Sequence, residues 1–172
     1  RSYDLVGRLI SLTYPDGDVA SYTYNPQGGL ETITRQAPGS TSQTIVSDVT
    51  YNAAGQLTKL VYGNGTVSDY TYDPQTLRLA ALSTQHTATS TPLQDFAYQF
   101  DAVGNVTGIT DRVHTGTQTF QYDALHRLTQ AIGSYGTSTY AYDPIGNMIS
   151  KECRSMSYGL PNGSKPHAVT SV

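Results

Sequence analysis

Apolar and polar residues alternate along this chain in short runs, separated by clusters of Gly, Asp, Asn and Pro. Ile10, Leu12 and Tyr14 fall on one face of such a run. Ala20, Tyr22 and Tyr24 share a face of the next, with Ser21 and Thr23 opposite, and Phe96, Tyr98 and Phe100 alternate further on. Alternation is the period of a β-strand. No window places apolar residues at i, i+3, i+4 and i+7 over three turns, so no helix is expected. Strands are expected over residues 8–14, 19–24, 30–35, 44–51, 57–62, 67–72, 106–113, 117–122, 128–132 and 137–142. The run 77–82 opens another strand, and 149–158 reads as one last strand. The stretch 36–43 reads as a polar loop, the Ser/Thr-rich stretch 84–91 as a second loop, and 160–172 as a weakly patterned tail.

The clusters between these runs repeat. An aromatic, any residue, a second aromatic, Asp or Asn, two residues, Gly, a polar residue and an aliphatic recur along the chain. The second aromatic and its partner stand at Tyr3-Asp4, Tyr24-Asn25, Tyr51-Asn52, Tyr72-Asp73, Phe100-Asp101, Tyr122-Asp123 and Tyr142-Asp143. Self-similarity at nearly fixed spacing marks a repeat protein. The two aromatics point to one strand face. Asp or Asn accepts hydrogen bonds from backbone N–H groups two residues on, which starts a turn. Pro26, Pro74 and Pro144 follow this residue, where a preset φ suits the first central turn position. The glycine is the natural occupant of a left-handed position, so Gly7, Gly55, Gly104 and Gly146 are expected at positive φ. Leu9, Leu30, Leu57, Val106 and Met148 then open the next strand. Thr76 and His126 stand in the glycine place, so those two turns are expected to differ. Pro15-Asp16-Gly17 and Gly63-Asn64-Gly65 are hairpin signals of their own.

Seven registered copies of this pattern resemble the YD repeat of the RHS (rearrangement hotspot) family, found in bacterial RHS proteins, C-type components of insecticidal Tc toxins and animal teneurins. Pro166-His167-Ala168-Val169-Thr170 also resembles a stretch near the end of RHS repeat regions. The resemblance covers essentially the whole chain. It implies an all-β fold of repetitive antiparallel hairpins that spiral into a curved, hollow, shell-like wall around a toxic polypeptide. It implies a secreted or cell-surface bacterial protein. Family members can also cleave themselves with aspartates in a core beyond the repeats, but no such core motif is visible in this sequence.

Composition changes the picture in one respect. Leu, Ile, Val and Phe number 34 of 172 residues, close to the level of disordered chains, yet net charge is only −3 and 14 tyrosines supply apolar surface. A Tyr- and Thr-rich chain suits a sheet with water near both faces, the tyrosine rings packing and their hydroxyls staying wet. Tyr22, Tyr70, Tyr98 and Tyr140 are expected to align as a cross-strand ladder. No apolar run is long enough to span a membrane as a helix, and no Lys/Arg cluster points to nucleic acid. The chain opens one residue before its first motif and closes without a capping element. It is therefore expected to be part of a longer polypeptide, or to stack on copies of itself.

Candidate chemistry is sparse. The motif Asp and Asn residues read as turn formers rather than catalytic carboxylates or calcium ligands, because Asn substitutes freely for Asp. His86, His114, His126 and His167 lie in different repeats without metal-ligand spacing. Cys153 has no His or Asn constellation around it, and Glu31 and Glu152, the only glutamates, are far apart in sequence. No catalytic, cofactor-binding or metal-binding residue is assigned. Three functional classes follow: a non-catalytic wall enclosing a linked effector; a surface module holding glycans or a partner protein through exposed tyrosines; and a hydrolase on a β-scaffold. The wall is the leading expectation.

Overall fold

The structure is a computed structural model that describes residues 1–159 and 165–171. Every regular element in the described residues is a strand, and strands hold more than half of those residues. Backbone contacts divide the chain into two compact units, Arg1–Phe96 and Ala97–Val172.

The first unit carries β1 (Ser2–Tyr3), β2 (Leu9–Thr13), β3 (Val19–Tyr24), β4 (Leu30–Gln36), β5 (Gln43–Tyr51), β6 (Leu57–Tyr62), β7 (Thr66–Tyr72) and β8 (Leu79–His86). The unit boundary falls within β9 (Thr91–Phe100). The second unit continues with β10 (Val106–Asp111), β11 (Gly116–Tyr122), β12 (Leu128–Gly133), β13 (Gly136–Tyr142), β14 (Met148–Lys151) and β15 (Arg154–Ser155). It ends with a separate antiparallel pair, β16 (Ser157–Tyr158) and β17 (Val169–Ser171). Strand order from β1 to β15 follows chain order.

Register explains the apolar alternation. In the first unit Leu12 faces Ala20, Tyr22 faces Ile33, Ile33 faces Val46 and Tyr70 faces Leu82. Aromatic and aliphatic side chains therefore alternate across this face. The expected tyrosine ladder is not what forms: Tyr22 and Tyr70 oppose Ile33 and Leu82, and Tyr140 opposes Lys151, whose ammonium lies 6.0 Å from the ring centroid. A ring pleated against an aliphatic neighbour fills a half-buried surface as well as a second ring does.

Burial is shallow. Among the described residues the buried apolar side chains are all small, Ala20, Val46, Val49, Val67 and Ala131, and no side chain is fully enclosed. With half-buried rings as the main apolar contribution, ring geometry and hydrogen bonding bear more of the stability than a thick core would.

Six of the motifs close as a hairpin with a bulge in front of the second aromatic. Register shifts fall between Ser2 and Tyr3, Thr23 and Tyr24, Thr50 and Tyr51, Thr71 and Tyr72, Gln121 and Tyr122, and Ala141 and Tyr142. The bulge turns the aromatic so that it faces the aliphatic after the glycine, as in Tyr24 opposite Leu30 and Tyr142 opposite Met148. A bulge re-aims a side chain at the end of a ladder. The same shift recurs between Ser157 and Tyr158, where Tyr158 faces Val169.

Two expectations are corrected and one turn is refined. Residues 149–158 are not one strand: β14 turns back at Glu152, whose φ is +55°, and β15 pairs with β14 before β16 begins. The stretch 84–91 is not a loop. Strand β8 runs through His86, and a tight turn leads into β9 at Thr91, because threonine suits a strand wherever its partner strand continues. The hairpin expected at Gly63-Asn64-Gly65 does form, joining β6 to β7. Tyr62 and Thr66 bracket three residues, the Gly65 N–H meets the Tyr62 carbonyl at 3.1 Å, and only Gly65 has positive φ. The tail expectation falls partly on residues outside the described ones, 160–164 and 172.

Candidate functional site: the row of Asx turns

The densest polar chemistry of the molecule sits in the motif turns. In the regular copy at Asp143, the Asp143 N–H donates to the Asn147 carbonyl at 2.9 Å and the Gly146 N–H to the Asp143 carbonyl at 3.1 Å. Asp143 Oδ1 accepts the N–H groups of Ile145 at 3.0 Å and Asn147 at 2.8 Å. The same pattern is built at Asp4, Asn52, Asp101 and Asp123. Gly7, Gly55, Gly104 and Gly146 are all left-handed, with φ between +76° and +110°.

Two turns lack that glycine, and only one of them differs. His126 adopts φ +61° and keeps the standard turn, its N–H meeting the Asp123 carbonyl at 3.0 Å, which corrects the expectation for that copy. The Asp73 turn does differ. It is one residue longer, with Leu77 at φ +57°, the Leu77 N–H on the Asp73 carbonyl, and Thr76 bound to Asp73 Oδ1 through both N–H and hydroxyl.

The polar residue after the glycine does work that spacing alone does not reveal. Its side chain bonds the second side-chain atom of its own Asx residue and reaches the next turn. Arg8 Nε donates to Asp4 Oδ2 at 2.7 Å, and its guanidinium lies 4.5 Å from the Tyr24 ring centroid. Gln56 accepts from Asn52 Nδ2 and donates to the Leu77 carbonyl at 2.7 Å. Asn105 Nδ2 donates to Asp101 Oδ2 at 2.7 Å and lies 3.1 Å from His126 Nδ1. Arg127 pairs with Asp123, donates to the Asp143 carbonyl at 3.0 Å and lies 4.8 Å from the Tyr142 ring centroid. Asn147 donates to Asp143 Oδ2 at 2.8 Å and to the Pro166 carbonyl at 2.9 Å, while its Oδ1 faces His167 Nδ1 at 2.7 Å.

A second link runs through the tyrosines. The hydroxyl of Tyr24 donates to the Leu9 carbonyl at 2.8 Å, Tyr51 to Leu30 at 3.1 Å and Tyr72 to Leu57 at 2.9 Å. Tyr122 donates to Val106 at 2.8 Å and Tyr158 to Met148 at 2.8 Å. Each acceptor is the strand-opening aliphatic of the preceding copy. These hydroxyls are bonded, not wet as expected, and Tyr158 acts as an unrecognised eighth copy. Phe100 has the ring and no hydroxyl to donate.

Charge follows the same bonds. Asp4 and Asp123 have lowered pKa values because the N–H groups of Arg8 and Arg127 bind the ionised form against the opposing effect of burial. Asp73 is lowered first by the Thr76 N–H. At Asp101 and Asp143 burial pushes upward, but the amides of Asn105 and Asn147 with nearby N–H groups outweigh it. Burial raises the phenol of Tyr122, and the Asp101 charge adds to it.

One turn has no such bridging side chain. Gly29 stands where the other copies place Arg, Gln or Asn, and an added Cβ would lie 2.8 Å from the Tyr51 ring. Between the second and third turns lies an open, uncharged cleft of about 660 Å³, lined by residues that include Asn25, Gln27, Gly29, Tyr51 and Asn52.

The remaining candidates do not converge. His114 pairs with Asp111 Oδ2 at 2.9 Å in an exposed turn, and the buried Nδ1 of His86 has no partner. Cys153 is exposed, Glu31 is exposed, and Glu152 accepts from the Ser138 hydroxyl at 2.6 Å. Among the described residues no three metal-ligating side chains cluster, and no helix is long and apolar enough to cross a membrane.

The RHS repeat family matches residues 3–41, 51–91 and 100–138 of this chain. No curated protein matches it. Among solved structures, the chain is similar to one in the Photorhabdus luminescens Tc holotoxin pore with a mutated TccC3, at 27% identity and a TM-score of 0.80 over 99% of this chain and 9% of that one. It is similar to TcdB2-TccC3 without its hypervariable C-terminal region, at 26% identity and a TM-score of 0.82 over 98% of this chain and 10% of that one. It is also similar to TcdB2-TccC3, at 26% identity and 0.79 over 95% and 9%. The chain thus spans about a tenth of the length of these relatives.

Proposed function

Because the chain belongs to the RHS repeat family, we propose that it is a non-catalytic stretch of wall in a larger hollow shell, curved around a linked toxic polypeptide in a secreted bacterial protein. The observation that carries this reading is the commitment of the motif side chains. Asx carboxylates, the residues that follow the glycines and the tyrosine hydroxyls are spent on holding one repeat to the next. A sheet built this way is a continuous partition rather than a scaffold presenting reactive groups. Its partners are the rest of its own longer polypeptide or stacked copies of itself. The similarity to TcdB2-TccC3 chains supports the same reading, since those chains are about ten times longer than this one.

A glycan or receptor platform would leave the motif tyrosines open. Tyr22, Tyr70, Tyr98 and Tyr140 are each half-buried, which favours the wall. The direct test is limited proteolysis of the longer polypeptide that carries this array together with its linked segment. A wall predicts that the linked segment resists digestion until the repeats themselves are cut. Digestion at the rate of the isolated segment would overturn the proposal.

A further inference from the structure

Three histidines in the described residues meet a turn side chain, and the proton arithmetic of His126 is opposite to that of the other two. At the seventh turn, Asn147 Nδ2 gives its two hydrogens to Asp143 Oδ2 at 2.8 Å and the Pro166 carbonyl at 2.9 Å. Its Oδ1 is therefore the atom that faces His167, so His167 Nδ1 must carry a proton to bond at 2.7 Å. An imidazole that donates there does so whether neutral or charged. His114 Nδ1, facing Asp111 Oδ2 at 2.9 Å, is likewise a donor.

The fifth turn reverses this. Asn105 Nδ2 gives one hydrogen to Asp101 Oδ2 at 2.7 Å and points the other at His126 Nδ1, 3.1 Å away. A carboxylate only accepts, so the amide is held with its nitrogen toward both groups. His126 Nδ1 must offer its lone pair, and the ring must be neutral with its proton on Nε2. The charged groups around this contact are Asp101 behind Asn105, and Asp123 and Arg127 in the turn that carries His126. The N–H and amide donors around Asp101 keep that carboxylate ionised well into the acid range. It therefore continues to hold Asn105 in place while an imidazole titrates.

His126 also occupies the one regular motif turn that lacks glycine, at φ +61°. A non-glycine residue is strained there, and strain of this kind persists where surrounding contacts hold it.

We propose that His126 is a proton-operated release on the link between the fifth and sixth turns. Neutral, it accepts from Asn105 and closes the link. Protonated, it presents an N–H to an amide that carboxylate bonding prevents from turning, and the link opens. The left-handed residue then loses one of the contacts that hold it and keeps only the bonds of its own turn. Histidine as a residue type changes charge between about pH 5 and pH 8, and the release acts on this link while the His167 link stays closed.

Hydrogen exchange on the intact chain tests this. From about pH 7.5 to about pH 5.5, corrected for intrinsic rates, protection at 101–105 and 123–127 should fall roughly threefold to tenfold, the factor one net hydrogen bond supplies. Protection at 143–147 should hold. In His126→Gly, which restores the residue type of the neighbouring turns, the change should vanish; in His114→Gln it should persist. Ring nitrogen shifts at about pH 7.5 should show His126 Nδ1 without a proton. An unchanged wild type, a response that survives in His126→Gly, or an Nδ1–H form of His126 would overturn the proposal.

Discussion

The second and third turns rest on Asn25 and Asn52, whereas the fifth, sixth and seventh rest on Asp101, Asp123 and Asp143. Their backbones close in nearly the same way: Asn52 Oδ1 accepts two N–H groups at 3.0 Å, much as Asp143 Oδ1 does at 3.0 and 2.8 Å. What differs is the second side-chain atom. A carboxylate Oδ2 asks for a donor after the glycine, and Asn105, Arg127 and Asn147 supply it. An amide Nδ2 asks for an acceptor, and at Asn52 the neighbour is Gln56, bonded through its oxygen. At Asn25 the neighbour is Gly29, nothing bridges, and a cleft remains. The turn requires only one acceptor oxygen. The identity of the other atom selects the partner that joins one repeat to the next.

Acid should break this equivalence most strongly. The turn aspartates have lowered pKa values in the fold, so their stabilisation is fully present above the unfolded carboxylate value of about 3.9. It is lost as pH falls through the lower folded values. Acid titration followed by site-resolved exchange should therefore show the turns at Asp101, Asp123 and Asp143 opening before those at Asn25 and Asn52. Simultaneous opening would show that the second atom is unimportant. This effect should be the largest, because several carboxylates lose their bonds together.

Glycine replacement should come next and treat the two classes alike. Gly146→Val and Gly55→Val each place a β-branched residue at φ +96° or +76° and should cost about 1–3 kcal/mol. In both cases nothing lies within 4 Å of the added Cβ, so the effect would report backbone strain rather than a clash. Denaturant melts in which one variant keeps the wild-type midpoint would separate the two turn types at the backbone level.

The smallest expected effect concerns the tyrosine links. Tyr72→Phe and Tyr122→Phe remove the bonds to the Leu57 and Val106 carbonyls and should each lose about 0.5–1.5 kcal/mol. The replacement makes each site resemble the natural Phe100 position. Leu57 follows the Asn52 turn and Val106 the Asp101 turn, so a loss at Tyr122 alone would tie the hydroxyl's value to an acceptor behind an Asp turn; equal losses would make it a property of both classes.

Much of the fold was readable because its signals are short in range. Tyr142-Asp143 through Met148 contains every group that closes its own turn, so the strand ends on either side could be placed from residue types. The hairpin at Glu152 was hidden for the opposite reason. No Gly, Pro or Asn marks it, and its turn survives because β15 pairs with β14 and Glu152 binds Ser138 on β13. His126 misled in another way: its missing glycine suggested a different turn, yet the four bonds to Asp123 and the contact to Asn105 hold the standard one.

By itself, the sequence determined the repeat, the strand alternation and the Asx turns, since those depend on groups within about five residues of one another. Tertiary structure alone decided how repeats join. The tyrosine hydroxyls reach carbonyls 10 to 21 residues away, and Asn105 and Asn147 meet their histidines across 21 and 20 residues. Which atom faces which across those distances depends on strand register and bulge position. Two asparagines at the same motif position therefore behave oppositely: Asn105 gives a hydrogen to one histidine, and Asn147 accepts one from another.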